Sequence, residues 1–230
     1  MREYPKIYGP YKRHTEGPDR NKLIEGEWAH PDLEYLQHNQ WLFTEKVDGT
    51  NIRVHWDGHK VTFGGRTERA QIPAKLVSLL QETFPEELFE QAFGENAATL
   101  FGEGFGAGIQ KAGGNYMPFV DFVLFDVLVA DWWLRRADVE DVANKTGVTV
   151  VPIVCEGTLH DGVALVRAGL TSTWGDFPAE GIVGVPTAGL LDRGGRRLMV
   201  KIKRADFPRG SPVGGAMKRA ADQSALGKRP

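Results

Sequence analysis

Lys46 opens the run Lys46-Val47-Asp48-Gly49-Thr50-Asn51, a lysine held on a tight glycine-containing turn, and Arg53, Arg66, Glu103, Asp126, Glu180, Lys201 and Lys203 follow it at intervals. The chemistry such a set could do is attack on phosphorus. A lysine is a poor nucleophile near neutral pH because its unperturbed pKa is about 10.4, and neighbouring cations are what favour the free amine. Lysines and arginines also neutralise phosphate oxygens, while carboxylates such as Glu103, Asp126 and Glu180 suit a Mg²⁺ or Mn²⁺ held through water. Each residue has a plainer reading too. Asp-Gly-Thr-Asn is ordinary turn chemistry, Glu103 and Glu180 read as strand-edge salt bridges, and Lys201 and Lys203, two apart, read as alternate residues on a solvent face.

The elements that must position these groups alternate between strand and helix patterns. Residues 41–47 read as a strand leading into the lysine turn, and 52–56 and 60–63 flank Asp57-Gly58, a strong hairpin signal. The apolar spacing predicts a helix over 73–93, broken or restarted at Pro85. Residues 99–105 and 119–129 read as buried strands, the second a nearly continuous apolar run interrupted by Asp121 and Asp126. An aspartate inside such a run needs a partner or a job. A helix over 137–145 closed by Gly147, a strand over 149–154, a helix over 161–170, and strands over 181–185 and 197–202 around Gly194-Gly195 complete the body.

Residues 1–40 are rich in Pro, Gly and His without a regular period, and are expected to pack on the body. Residues 41–207 form the expected main domain. Residues 208–230 carry Arg209, Lys218, Arg219, Lys228 and Arg229 against Asp222, a basic tail that reads equally as a solvated terminus or as a polyanion-binding arm.

Composition is neutral on the partner. At 230 residues the chain can bury a sizeable core, and 41% hydrophobic and 25% charged residues with a formal charge of -2 describe an ordinary globular protein. A polyanion feels local charge rather than the sum, so a basic groove fits inside a balanced total. Cys155 is the only cysteine, which excludes a disulfide framework and a thiolate zinc cluster and fits a reducing compartment. The N-terminus lacks the apolar stretch of a signal peptide, and no segment reaches membrane-spanning length, so the expected location is cytoplasmic, away from membranes.

One familiar motif is a decoy. Gly102-Glu103-Gly104-Phe105-Gly106-Ala107 matches a loose dinucleotide fingerprint after a strand, but Gly108, Gly113 and Gly114 stand where the required helix should begin. A Gly-x-x-x-x-Gly-Lys-Ser/Thr loop is absent. The six histidines show no ligand spacing for zinc, and His55 and His59 read as hairpin or surface residues.

Taken in order, Lys46-x-Asp48-Gly49, Phe101-Gly102-Glu103-Gly104, Phe125-Asp126, Glu180-Gly181-Ile182-Val183 and Lys201-Ile202-Lys203 resemble the covalent nucleotidyltransferase motifs. The chain is similar to the ATP-dependent polynucleotide ligases, most closely the RNA ligase 2 branch, on Glu45-Lys46-Val47-Asp48-Gly49-Thr50-Asn51. Gln110 stands seven residues after Glu103, as the family's glutamine does, and Arg66 matches the arginine of the hairpin after the nucleophile. The likeness covers roughly residues 41–203.

The resemblance implies an α+β, ATP-grasp-like nucleotidyltransferase domain of two antiparallel β-sheets flanked by helices around an ATP cleft. It implies that Lys46 takes AMP from ATP as a phosphoramide, passes it to a 5′-phosphate, and that a 3′-hydroxyl then seals the strand. Lys201, Lys203 and Arg66 would neutralise phosphate, Glu103 would take the ribose and Glu180 the Mg²⁺ or Mn²⁺, with Asp126 a further catalytic carboxylate. Phe125 would stack on adenine, with Phe122 the competing ring, and Glu45 would set its backbone against the base edge. Asn51 joins the ATP contacts, and Asn51, Arg53 and Gln110 are candidates for the later steps. The implied partner is RNA, as nicked duplex, RNA/DNA hybrid or free ends, with a partner protein a further way to engage it. Thr44 replaces an arginine of the related RNA ligases, and about 27 residues after Lys203 are too few for a full C-terminal domain. A DNA nick ligase or a capping-type enzyme is the alternative within enzymes, disfavoured by Thr50-Asn51. A nucleotide- or nucleic-acid-binding module without turnover is the alternative outside them.

Overall fold

The computed structural model describes residues 2–207; the expected basic tail, 208–230, lies outside the described residues. In chain order the elements are β1 (Tyr11–Arg13), β2 (Leu23–Trp28), α1 (Pro31–Tyr35), β3 (Trp41–Glu45), β4 (Thr50–Trp56), β5 (Val61–Gly64), α2 (Ala74–Thr83) and α3 (Glu86–Phe93). There follow β6 (Ala98–Gly106), β7 (Val120–Val129), β8 (Trp132–Trp133), α4 (Arg136–Thr146), β9 (Thr149–Val150), β10 (Ile153–Gly157), α5 (Leu159–Ala168), β11 (Gly181–Pro186) and β12 (Val200–Lys203).

Two main sheets carry the body. One has the order β10-β3-β11-β12 and is antiparallel throughout. The other has the order β5-β4-β6-β7-β8, with β9 added beside β7. The expected two antiparallel sheets are therefore present with one exception, since β9 runs parallel to β7 with Val123 opposite Thr149. The reason is the α4 crossover, which returns the chain in the direction of β7. The strand expected over 149–154 is split in two, β9 and β10 joining different sheets on either side of Val151-Pro152. The N-terminal segment, without period in sequence, forms the β1–β2 hairpin and the short α1.

Period-two alternation sorts the side chains. In β3, Trp41 and Phe43 are fully buried beneath α5, while Leu42 and Thr44 face the space between the sheets. In β12, Val200 and Ile202 are buried with them and Lys201 and Lys203 face inward. Helix α5 starts with a capping box between Thr158 and Asp161, and Gly162 lets it lie against the Phe43 ring. On the other sheet, Ile52, Val54, Leu100, Leu124 and Val127 pack under α2, α3 and α4 through Leu76, Leu80, Phe89 and Val139. Each such side chain contributes about 1.5–3 kcal/mol relative to exposure. Pro85 divides the predicted 73–93 helix into α2 and α3, because its ring cannot continue the turn. No described helix is long and apolar enough to cross a membrane.

Candidate active site

Between the sheets lies a cleft of about 1360 Å³, roomier than the roughly 300–1,000 Å³ of ordinary small-molecule sites. The lysine turn crosses from one sheet to the other at its centre. The Lys46 N–H donates to Gly181 O at 2.9 Å, tying the end of β3 to the start of β11. Val47 is buried among Phe105, Tyr116, Val123 and Val151, and the Asp48 N–H donates to Tyr116 Oη at 3.3 Å. Burial pushes the Tyr116 phenol up to about 12, so it stays neutral there. A Cβ at Gly49 would lie 2.3 Å from Gly104 O and 2.8 Å from Glu103 Cγ. Only glycine lets the turn lie this close to β6, and the turn thereby brings Lys46 up to Glu103.

Lys46 Nζ sits 2.7 Å from Glu180 Oε2, and Lys203 Nζ sits 2.9 Å from Glu180 Oε1. Lys201 lies beyond Lys203 on the same strand face, and its pKa is lowered by burial first and then by Lys203, Lys46 and Arg66, with Asp206 opposing. The cations spread through the sequence are thus brought within electrostatic reach of one another. Glu103 is pushed up to about 7, chiefly by burial and further by Glu180 and Asp48, while Lys46 and the Gly49 N–H pull it down. Asn51 stands opposite Glu103 in the ladder, and its Oδ1 is buried without a hydrogen-bond partner.

Among the described residues no three His, Cys, Asp or Glu side chains converge as a preformed metal cage. The donor set nonetheless fits a hard divalent cation. Glu180 and Asp48 both act on the charge of Glu103, and Mg²⁺ is commonly held by one or two carboxylates, water and substrate phosphates rather than by a protein cage.

The remaining expected residues divide. Phe125 lines the cleft, whereas Phe122 is buried against Phe84 in the helix-covered core and cannot compete for a ligand. Asp126 borders the cleft but is 2% exposed and engaged. It accepts from Tyr4 Oη at 3.0 Å and from the Val127 N–H at 3.1 Å, and Arg197 Nε lies 3.2 Å away. That last contact is Coulombic without hydrogen-bond alignment, since Arg197 Nε has no hydrogen-bond partner. Burial raises Asp126 to about 6 against the pull of Arg197 and Tyr4. Asp126 is thus placed in the cleft wall with both carboxylate oxygens accepting hydrogen bonds.

Arg53 is also engaged. It is 1% exposed and donates to Gly65 O at 2.7 Å and to Arg2 O at 3.2 Å, so it holds the backbone beside Arg66 and does not line the cleft. Arg66 itself is exposed at the cleft. Gln110 donates to Gly49 O at 3.0 Å, bracing the lysine turn. Glu45 is buried, its carboxylate accepting from Ser172 Oγ at 2.5 Å, Thr173 N at 2.8 Å and Thr173 Oγ1 at 2.6 Å, and its N–H donates to Pro152 O. Tyr4, Tyr116, Arg197 and the Ser172-Thr173 pair are contributors that spacing did not reveal. The one available signal was Asp126, whose place in an apolar run called for a cation or a hydroxyl.

The RNA ligase family model matches residues 39–203. No curated protein matches the chain. Among solved structures, a lysine-to-methionine mutant of Naegleria gruberi RNA ligase with AMP and Mn superposes with a TM-score of 0.62 at 18% identity, covering 77% of this chain and 53% of that one. A lysine-to-alanine mutant of the same ligase with ATP and Mn gives 0.64 at 17% identity over 89% and 58%. The ligase with PPi gives 0.62 at 18% over 95% and 64%. These likenesses establish the fold, and the chain spans less than two thirds of the length of the ligase it matches.

Proposed function

The chain belongs to the RNA ligase family, and from that premise we propose that it is an ATP-dependent RNA ligase of the RNA ligase 2 type, working through a covalent lysyl-AMP on Lys46. The observation that carries this reading is the placing of Lys46 on a glycine-fixed turn at the centre of the cleft, with Glu180, Lys203, Lys201 and Glu103 around it.

Adenine enters between the sheets and stacks on Phe125. The Glu45 N–H is already given to Pro152 O, so the base edge is met by the Glu45 carbonyl. A carbonyl accepts from the exocyclic amine of adenine and faces the carbonyl of guanine unfavourably, which favours ATP over GTP. Glu103 takes the ribose, and Lys201, Lys203 and Arg66 neutralise phosphate oxygens as charge shifts toward the leaving group. Lys46, released from Glu180 and deprotonated, attacks the α-phosphorus; the P–N bond forms and the bond to pyrophosphate breaks. Glu180 would hold the divalent cation, which supplies charge neutralisation on the phosphates. The main contribution of the protein is positioning and electrostatics. AMP then passes to the 5′-phosphate of an RNA strand and a 3′-hydroxyl displaces it.

The test is sealing. A 5′-phosphorylated nick in an RNA duplex, in an RNA/DNA hybrid and in a DNA duplex, each with ATP and Mg²⁺, should be joined when the ends are RNA. Joining of the DNA duplex alone would replace this reading with a DNA nick ligase.

A further inference from the structure

Residues 2–8 precede the part of the chain that the family model matches, 39–203, yet they touch both sheets. At one end the Arg2 carbonyl accepts from Arg53 of β4. At the other, Tyr8 bridges to Val200 in parallel, and its carbonyl accepts the Lys201 N–H at 2.8 Å. Between them Tyr4, Pro5 and Ile7 line the cleft.

The Tyr4 ring is packed on three sides, with centroids 4.9 Å from Phe101, 5.0 Å from Phe125 and 5.8 Å from Trp133. Its hydroxyl donates to Asp126 Oδ2 at 3.0 Å, with Met199 Sδ 3.1 Å away. Phe125 needs such support. The β6–β7 ladder pairs Phe101 with Asp126 and then Gly102 with Leu124, so Phe125 is a bulged residue without a partner in register. The bulge is what turns Phe125 and Asp126 toward the same cleft, and it also leaves Phe125 less firmly fixed by the ladder than its neighbours.

We propose that Tyr4 is a positioning residue of the nucleotide site, clamping the bulged Phe125-Asp126 pair so that the Phe125 ring is held ready for the base. The inference rests on the reading of Phe125 as the ring that stacks on adenine. Tyr4 packs edge-to-face with Phe125 and donates its hydroxyl to Asp126 Oδ2, while Arg197 lies 3.2 Å from that same oxygen and stacks over Trp133 at 5.5 Å. The N-terminal segment thereby becomes part of the site without contributing a reacting group.

The experiment measures the full chain and its Tyr4→Ala, Tyr4→Phe and Phe125→Ala variants by calorimetric ATP affinity and by the rate of covalent labelling against ATP concentration. Tyr4→Ala should weaken ATP affinity and raise half-saturating ATP by about tenfold, while the maximal rate changes by less than about twofold. Tyr4→Phe keeps the ring and should recover to within about threefold of wild type. A residue that only stabilised the fold would lower the active fraction at every ATP concentration without moving half-saturation. Unchanged or tighter ATP binding in Tyr4→Ala, with Phe125→Ala weakened, overturns this proposal alone. Unchanged binding in Phe125→Ala overturns the stacking reading and the proposal with it.

Discussion

Lys46 Nζ lies 2.7 Å from one carboxylate oxygen of Glu180, whose other oxygen lies 2.9 Å from Lys203. One carboxylate therefore joins the end of β3 to the end of β12, and it holds the lysine as an ion pair. The attack proposed for Lys46 requires the free amine, so this pair would have to open before that reaction.

Replacing Glu180 by Ala leaves Lys46, Lys201 and Lys203 facing one another without their shared counter-charge. Lysyl-AMP formation should fall by about a hundredfold or more, in the range seen when a group that stabilises charge at the reaction centre is removed. Initial labelling rates on protein with an unchanged circular dichroism spectrum check this; a rate within about threefold of wild type would contradict it.

Gly49→Ala should abolish labelling although every charged group remains. The added methyl would fall 2.3 Å from Gly104 O and 2.8 Å from Glu103 Cγ. Backbone cannot yield as a flexible side chain would, so the lysine turn must move off β6, at a cost of about 1–3 kcal/mol. Thermal melting and labelling together report both effects.

Glu103 sets a pH dependence of stability with a definite sign. Its carboxyl is raised from 4.5 to about 7, so the folded chain binds the proton more tightly than the unfolded one. The contribution is fullest below the unfolded value and declines as pH rises through about 7. Asp126 acts in the same direction between 3.8 and about 6. Asp57, Asp161 and Asp192 are lowered, so their stabilisation is present at these pH values and is lost only in acid. His55 and His160, lowered by burial, act in the opposite direction near neutral pH, so the readout is a difference: between about pH 5 and pH 7 the melting temperature of nucleotide-free Glu103→Gln should rise relative to wild type.

Glu45→Ala tests a structural role. The mutation deprives Ser172 Oγ, Thr173 N and Thr173 Oγ1 of their acceptor beneath the β3 end. Hydrogen bonds to a buried charged group contribute about 1.5–3 kcal/mol each, with strong overlap when they share one carboxylate, so a loss of about 2–4 kcal/mol is expected from chemical denaturation.

Much of this was legible in the sequence because it is periodic or local. The period of two put Lys201 and Lys203 on one strand face, and Pro85 and Gly147 marked helix ends as backbone chemistry requires. Long-range contacts were not legible. Nothing in the neighbourhood of Asp126 announces Tyr4, 122 residues away, or Arg197. The burial of Arg53 under residue 2 has no local signature. The β9 strand was merged with β10 because two short apolar runs around Val151-Pro152 read as one, and only the sheet they join tells them apart.

The proposed chemistry depends on a covalent adenylate on Lys46. The most direct measurement is incubation with α-labelled ATP or GTP and Mg²⁺ or Mn²⁺, followed by denaturing electrophoresis, with Lys46→Ala alongside. Label from ATP that survives denaturation and vanishes in the variant is the predicted result. Label from GTP in place of ATP would point to capping chemistry. No label from either, in folded protein that still binds ATP, would contradict the account and leave a binding module without turnover.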